Sequence, residues 1–154
     1  MTTPAIAIRP YEASDTDRLL AIWQAASLKG HPFFSADQIA QQRRQVAEIY
    51  LPKAETWVAV RSGGAVGFIG LIDGFIGGLF VDPSAHGQGI GRLLVDHAMK
   101  LRGALSLEVY ALNTGALAFY RRLGFEEVDR RPFDDNGLPL ELVELRSGGE
   151  TEPA

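Results

Sequence analysis

The sequence predicts an α/β fold with a mixed sheet of about seven strands and four helices. Short β-branched and aromatic stretches bounded by Gly, Pro and Asn-Gly turns predict the strands, and longer segments with the spacing of amphipathic helices lie between them. With 154 residues, 46% of them hydrophobic and 22% charged, the chain suits one globular core. We therefore expect a single domain over residues 1–146 and a polar, disordered tail over residues 147–154.

The amino-terminal part is predicted to contain one strand and two helices. Residues 5–9 are short and apolar, which is typical of a strand. A serine N-cap begins a helix over residues 14–30, and Ser35, followed three positions later by glutamine, has the capping-box pattern of a second helix. We expect this second helix to end near Tyr50, before Pro52, because the residue preceding a proline avoids the helical region.

The rest of the chain alternates between strands and helices. Ser62-Gly63-Gly64 and Asp73-Gly74 are turn signals between apolar stretches, and Asn136-Gly137 is a third. The predicted elements are strands over residues 56–61, 65–72 and 75–81, a helix over 92–102, a strand over 105–109, a helix over 113–123, and strands over 125–131 and 138–145. This order predicts helices on both faces of the sheet.

Composition excludes several classes of function. The formal net charge of −4 argues against general nucleic-acid binding, and the absence of cysteine excludes disulfides and a cysteine nucleophile. Residues 1–9 lack the pattern of a signal peptide, and no apolar run reaches the roughly 18 residues of a membrane span. The three histidines do not have the spacing of a helical metal pair. We expect a cytoplasmic protein without a metal site.

The segment His86-Gly87-Gln88-Gly89-Ile90-Gly91 joins a predicted strand to a predicted helix. Glycines permit positive φ and close approach, so successive backbone N–H groups can converge on an anion at the positive end of the helix. A tight connection without a ligand would have the same glycines. The segment has no Gly-Lys-Ser/Thr of a P-loop and does not open a βαβ unit, which disfavours nucleotide-binding folds.

The surrounding residues resemble the GNAT N-acetyltransferases. Leu79-Phe80-Val81-Asp82-Pro83, the glycine turn and Arg92-Leu93-Leu94 are similar to the family's motif A, although His86 stands where Gln or Arg is usual. Leu107 to Asn113 and the later run from Ala118 to Phe125 resemble motif B. The resemblance implies acetyl-CoA as co-substrate, held by the following residues: Leu79, Phe80, Val81, His86, Gly87, Gln88, Gly89, Ile90, Gly91, Arg92, Asn113 and Tyr120.

Two residues of the second motif have expected roles. By resemblance, Tyr120 is the general acid for the departing thiolate, and a phenol with an ordinary pKa near 10 is protonated at neutral pH. The alternative is that Tyr120 only packs a helix face. Asn113 is expected to contact the cofactor, to cap the helix that follows it, or to do both.

The acceptor side is predicted from fewer signals. Glu108 lies in an apolar strand and is the candidate general base, the alternative being a solvated carboxylate. His31, Phe33 and Phe34 lie in the loop between the first two helices, which borders the acceptor in the family. His31 is a candidate base or substrate contact, and the aromatic residues are candidate pocket walls or ordinary core.

The resemblance implies transfer of an acetyl group to a primary amine of a small molecule or peptide, with both substrates bound in a ternary complex. We expect a monomer or homodimer that does not bind nucleic acid or membranes. Two other interpretations remain: a non-catalytic acyl-CoA-binding sensor, and an unrelated anion-binding domain. The fold does not identify the acceptor amine.

Overall fold

The computed structural model describes residues 5–147 and contains the seven strands and four helices that the sequence predicts. The strands are β1 (Ile6–Pro10), β2 (Glu55–Arg61), β3 (Gly64–Ile72), β4 (Phe75–Val81), β5 (Ser106–Tyr110), β6 (Phe125–Arg131) and β7 (Leu142–Ser147). The main helices are α1 (Thr16–Gly30), α2 (Ala36–Gln45), α3 (Ile90–Arg102) and α4 (Thr114–Arg122). None of the helices within this range is long and apolar enough to cross a membrane.

All seven strands form one sheet in the order β1-β2-β3-β4-β5-β7-β6. Only β4 and β5 run parallel, and they are joined through two residue pairs alone, Phe75 with Ser106 and Ile76 with Leu107. Beyond these pairs β4 continues along β3, and β5 continues along β7. The sheet therefore splits between its two parallel strands, and the split opens toward their carboxyl ends.

Helices cover both faces of the sheet, as predicted. On one face, α3 and α4 bury Leu94, Val95 and Leu117 against the strands. On the other face, α1 and α2 bury Ile22 and Ile39. Burial of an aliphatic side chain of this size stabilises the fold by about 1.5–3 kcal/mol, so these two layers fix where the helix ends meet the split in the sheet.

The second helix extends beyond its predicted end. After α2, a π-helical turn (Val46–Tyr50) and a final helical turn (Leu51–Lys53) continue the segment past Pro52. Pro52 lies in the first turn of this last piece, where a backbone N–H has no intrahelical partner and its absence costs little. The prediction that the helix ends before Pro52 was therefore wrong.

The last strand begins later than predicted. β7 starts at Leu142 and not at residue 138, because residues 134–138 form a turn held by the carboxylate of Asp134, which accepts hydrogen bonds from the N–H groups of Asn136 and Leu138. β7 also includes Ser147, the first residue of the predicted tail. The remainder of the predicted tail, residues 148–154, lies outside the described residues.

Candidate active site

A cavity of about 1260 Å³ occupies the split between β4 and β5. We call it the main cavity. Its wall combines the free edges of the two strands with the glycine turn, the amino-terminal ends of α3 and α4, and the carboxyl-terminal end of α1. The main cavity is therefore lined by the glycine turn, Asn113 and Tyr120, to which the sequence analysis assigns roles in binding or catalysis.

The glycine turn bends through the left-handed region at the start of α3. Gly87 and Gly89 have φ values of +79° and +81°, a region that residues with a side chain rarely adopt. Gly89 is the N-cap of α3 and provides no side-chain acceptor, and the N–H groups of residues 87–92 have no acceptor among residues 5–147. Converging N–H groups at the positive end of a helix favour a phosphate. We refer to residues 87–92 as the cradle.

The other positions of the turn have different functions. The Cβ that any larger residue would add at Gly91 would lie 3.0 Å from the ring of Phe119, so this glycine allows α3 to approach α4. The Ile90 side chain is buried in the core, with 1% of its surface exposed. Gln88 accepts a hydrogen bond from Arg61 and does not line the main cavity. Gln88 and Ile90 can therefore contribute to the cradle through their backbone N–H groups and not through their side chains.

The unusual His86 has a structural explanation. Its Nε2 lies 3.0 Å from the carbonyl oxygen of Val81, to which it donates a hydrogen bond. This bond fastens the turn to the carboxyl end of β4. His86 lines the main cavity beside the cradle, as does Arg92. The Arg92 side chain is 70% exposed and lies 3.8 Å from Asp96, a distance at which the pair is weak.

The edge of β4 that faces the split has no strand partner beyond Ile76 among residues 5–147. Leu79, Phe80 and Val81 pair with residues 67–69 of β3 on one side and have no partner in β5 on the other. All three line the main cavity. An unpaired strand edge offers backbone donors and acceptors to an extended ligand, which can bind as an added strand.

Tyr120 reaches the main cavity from α4. The residue is only 6% exposed and packs in the core, with its ring 5.4 Å from that of Phe125. Burial, and secondarily the neighbouring Tyr50, raise the pKa of Tyr120 above its usual range. No hydrogen bond within residues 5–147 contributes to this rise. Tyr120 is thus a protonated phenol at the cavity wall, with its proton available for donation.

Asn113 both caps α4 and contacts the loop after α1. Its Oδ1 accepts a hydrogen bond from the N–H of Ala116 at 3.2 Å, and its Nδ2 lies 3.2 Å from Nε2 of His31. Since the amide nitrogen can only donate, His31 accepts at Nε2 and is neutral. Burial lowers the pKa of His31, which favours the same state. Both residues line the main cavity.

Phe33 and Phe34 do not line either cavity, contrary to the expectation that they contact the acceptor. Instead they pack behind the wall, with ring centroids 4.9 Å apart and each close to Tyr110, because aromatic rings bury more area against one another than in an open pocket. Tyr110 itself lines the cavity and donates a hydrogen bond of 2.9 Å to the buried carboxylate of Asp134. Sequence reasoning missed Tyr110.

Glu108 lines the main cavity but is not isolated among apolar groups. Its Oε2 accepts a hydrogen bond from Arg131 at 2.7 Å, and the Glu108 side chain is 25% exposed. Arg131 also contacts Asp135 at 3.1 Å. The carboxylate is therefore held at the cavity by an ion pair with a distant residue, which no local pattern in the sequence predicts. Within residues 5–147, no three His, Asp or Glu side chains come together as a possible metal site.

A second cavity of about 510 Å³ adjoins the main one, and we call it the side cavity. The segment from α2 to Lys53 and the turn at Asp135 and Asn136 form its outer wall, and Tyr50 lies on the inner wall. The two cavities share several residues along the split: Trp23, Gln42, Ile76, Gly77, Phe80, Glu108 and Tyr110. The cradle and Tyr120 belong to the main cavity alone.

Comparisons with known proteins agree with this architecture. Residues 52–127 match the family model described as an acetyltransferase (GNAT) domain. The chain is 38% identical over 141 residues to the peptidyl-lysine N-acetyltransferase YjaB of Salmonella typhimurium, a match that covers 91% of this chain and 97% of that protein. It is 34% identical over 137 residues to the peptidyl-lysine N-acetyltransferase YiaC of Escherichia coli, covering 88% and 94% of the two chains.

The fold also matches a solved structure closely. The solution structure of apo-form YjaB from Escherichia coli superimposes with a TM-score of 0.87 at 35% sequence identity, and the match covers 95% of this chain and 99% of that one. The chain therefore belongs to the GNAT acetyltransferase family. It is an acetyl-CoA-dependent N-acetyltransferase, and the resemblance inferred from the two motifs is confirmed.

Proposed function

We propose that this protein transfers the acetyl group of acetyl-CoA to the primary amine of a lysine side chain in a peptide or protein of the cytoplasm. The observation that carries the proposal is the placement of three features on one cavity: the cradle, the free edge of β4 and the protonated Tyr120. The names of the two peptidyl-lysine N-acetyltransferases, which match nearly their whole lengths, support the choice of acceptor.

The residues of the main cavity suit the chemical groups of acetyl-CoA. The N–H groups of residues 87–92 have no protein acceptor and can hold the pyrophosphate. The edge formed by Leu79, Phe80 and Val81 can pair with the amide groups of the pantetheine arm. Asn113 and Arg92 are the side chains best placed to add polar contacts, because both line the same wall.

When bound, acetyl-CoA supplies the acetyl group as a thioester, an activated form that an amine can attack. The departing sulfur needs a proton, and Tyr120 can supply it, because its phenol is protonated at neutral pH and can donate to the thiolate that forms as the C–S bond breaks. The rise in the pKa of Tyr120 keeps the proton in place until then. Both substrates must be bound together for this direct transfer.

Glu108 is the proposed base on the acceptor side. A lysine amine is mostly protonated at neutral pH and must lose one proton before it can attack. Glu108 lines both cavities, so its carboxylate can receive that proton directly or through water. His31 is less suited to this task, because its Nε2 already accepts a hydrogen bond from Asn113. We propose that His31 positions the wall of the acceptor site.

The family assignment disfavours the alternative of a sensor that binds acetyl-CoA without transferring the acetyl group. The ion pair between Glu108 and Arg131 still bears on the proposed base, because a carboxylate engaged with a guanidinium is less free to accept a proton. Steady release of free coenzyme A in the presence of lysine peptides is the turnover expected of the transferase.

The proposed function is tested by measuring thiol release from acetyl-CoA across lysine peptides, other peptides and small amines. We expect lysine peptides to give the highest kcat/KM. Tyr120→Phe should lower kcat by roughly ten- to ten-thousand-fold with little change in the Kd for acetyl-CoA. Tyr11→Phe is the matched control, because Tyr11 bonds to Thr16 and lines neither cavity. Unchanged turnover in Tyr120→Phe would refute the assignment of the acid.

A further inference from the structure

The carbonyl group of Val81 points into the split and away from β3. On one side of Val81, the Phe80 carbonyl oxygen lies 3.0 Å from the position that a Cβ on Gly67 of β3 would occupy. On the other side, the N–H of Asp82 donates a hydrogen bond of 2.9 Å to the carbonyl oxygen of Val66. Both neighbours therefore direct backbone groups toward β3. Because these directions alternate along an antiparallel strand, the N–H and C=O of Val81 face the split.

His86 already occupies this carbonyl. Its Nε2 lies 3.0 Å from the Val81 oxygen, and because a carbonyl oxygen can only accept, Nε2 carries the proton of this hydrogen bond. The His86 side chain is exposed and lines the main cavity. The imidazole therefore lies on the split side of β4, where it covers the last carbonyl of the free edge.

The position of Val81 gives this cover a consequence for binding. The hydrogen bond from His86 ties the glycine turn to the carboxyl end of β4, so the Val81 carbonyl is the edge acceptor next to the cradle. An extended ligand that pairs with the edge near Leu79 and places an anion in the cradle must pass this carbonyl. An amide N–H of such a ligand and the imidazole of His86 then need the same acceptor.

We propose that His86 is a displaceable cover of the β4 edge. In the free protein its imidazole satisfies the Val81 carbonyl, and when acetyl-CoA binds, the imidazole releases that oxygen to an amide N–H of the pantetheine arm. The proposal rests on the proposed function, in which acetyl-CoA lies along this edge. His86 is then a positioning residue that opposes binding of the pantetheine arm, and it is not a contact to the pyrophosphate.

The exchange suits an exposed histidine. The Val81 oxygen keeps one hydrogen bond before and after binding, and the released Nε2–H can donate to water because the ring is at the surface. A strand edge with unpaired backbone groups is also open to unwanted pairing with other chains, and a side chain that covers it in the free protein reduces this risk. The cover is therefore useful without the ligand and is removed at little cost.

A cover and a phosphate contact predict different effects of removing the imidazole. A contact to the pyrophosphate would support every ligand that carries the pyrophosphate, whether or not it has a pantetheine arm. A cover of the Val81 carbonyl opposes only ligands with the arm. Loss of the fastening between the turn and β4 would affect both kinds of ligand alike, because both use the cradle.

The first test compares two ligands in His86→Ala. Acetyl-CoA has the pyrophosphate and the pantetheine arm, whereas adenosine 3′-phosphate 5′-diphosphate has the phosphates alone. We expect the Kd of this fragment divided by the Kd of acetyl-CoA to rise by roughly two- to ten-fold in His86→Ala, the net effect of one hydrogen bond. Ser84→Ala is the control and should leave this ratio unchanged, because the Ser84 hydroxyl donates to Asp82 in the same turn and lines neither cavity.

The outcomes separate this proposal from the proposed function. A ratio that stays constant in His86→Ala, with both ligands weakened equally or not at all, would overturn the cover and leave the proposed function standing. A lower ratio would mean that His86 supports the pantetheine arm, which also overturns the cover. If acetyl-CoA does not bind to the wild-type protein, both proposals fail.

A second measurement follows the Val81 carbonyl directly. Its ¹³C chemical shift responds to the hydrogen bond that the oxygen accepts, so we expect the wild-type protein and His86→Ala to differ at Val81 when free and when saturated with the fragment. The difference should vanish when both proteins are saturated with acetyl-CoA, because the same pantetheine amide then occupies the oxygen. A difference that persists with acetyl-CoA, or that is absent from the free proteins, would overturn the cover.

Discussion

Arg131 reaches across β7 to donate a hydrogen bond of 2.7 Å to Glu108 on β5. The pair joins the edge strand β6 to the wall of the cavity, and Asp135 contacts the same guanidinium at 3.1 Å. Glu108 is thereby fixed at the junction of the two cavities with one carboxylate oxygen engaged. Because the ion pair with Arg131 holds Glu108 in place without a bound substrate, a substitution of Glu108 tests the role of its carboxylate directly.

Glu108→Gln should lower kcat/KM for lysine peptides near pH 7 by about ten- to a hundred-fold if Glu108 removes the first proton of the amine. The deficit should shrink as the pH approaches 10, because a growing share of free lysine amine is then neutral without help. A pH–rate profile of both proteins checks this. Glu144→Gln is the control, since Glu144 pairs with Glu108 across β5 and β7 but lines neither cavity. A constant deficit at all pH values would argue against Glu108 as the base.

Gly89→Ala should reduce the free energy of acetyl-CoA binding by more than it reduces the free energy of unfolding. An alanine at φ +81° costs about 1–2 kcal/mol and shifts the N–H groups of the cradle. Gly63→Ala is a matched control, because Gly63 also has φ +81° and open space around it but lies in the turn between β2 and β3. Calorimetry should show a raised Kd only for Gly89→Ala. Equal affinity in the two variants would mean that the cradle does not hold the pyrophosphate.

Asp134 should contribute strongly to stability. Its carboxylate is buried and accepts hydrogen bonds from two backbone N–H groups and from the Tyr110 hydroxyl. Asp134→Ala leaves these donors without a partner, so we expect the free energy of unfolding to fall by about 2–4 kcal/mol. Asp135→Ala removes a mostly exposed carboxylate and should change it by about 0.5 kcal/mol or less. Urea unfolding curves compare the two, and equal losses would contradict the assigned role of Asp134.

Most of the fold could be predicted because its signals are local. Turn residues such as Asp73-Gly74 bound the strands, and apolar spacing marks the helices. The cradle was predictable for the same reason, because its backbone shape depends on glycines within one short segment. The start of β7 could not be predicted in this way. It depends on a hydrogen bond that the Asp134 carboxylate accepts from the N–H of Leu138, a residue that the sequence pattern places in a strand.

The acceptor side was less predictable because distant segments form it. Glu108 meets Arg131, and His31 meets Asn113, across many residues of chain. Phe33 and Phe34 have the composition of a pocket wall but pack against Tyr110. The position of Tyr50 has one signal in the sequence, because Gly70 of β3 and Gly77 of β4 leave space for its ring. This signal is informative only when the two strands are known to be neighbours.

The neutral His31 predicts a pH dependence of stability. Burial lowers the pKa of His31 in the folded protein below the ordinary value of 6.5. Below pH 6.5 His31 therefore binds a proton more readily in the unfolded chain than in the folded protein. As a result, the free energy of unfolding falls as the pH drops from 7 toward 5. The contribution is complete above pH 6.5. Asp15 and Asp82, whose pKa values are lowered from 3.8, lose their contributions only at lower pH.

His31→Gln separates this effect from other titrations, because glutamine can still accept a hydrogen bond from Asn113 but does not ionise. Urea unfolding at pH 5, 6, 7 and 8 should show a smaller loss of stability on acidification in His31→Gln than in the wild-type protein. The loss attributable to His31 can reach about 1.4 kcal/mol for each pH unit between its two pKa values. Parallel curves for the two proteins would mean that His31 titrates alike in the folded and unfolded states, and that its contact with Asn113 does not hold it neutral.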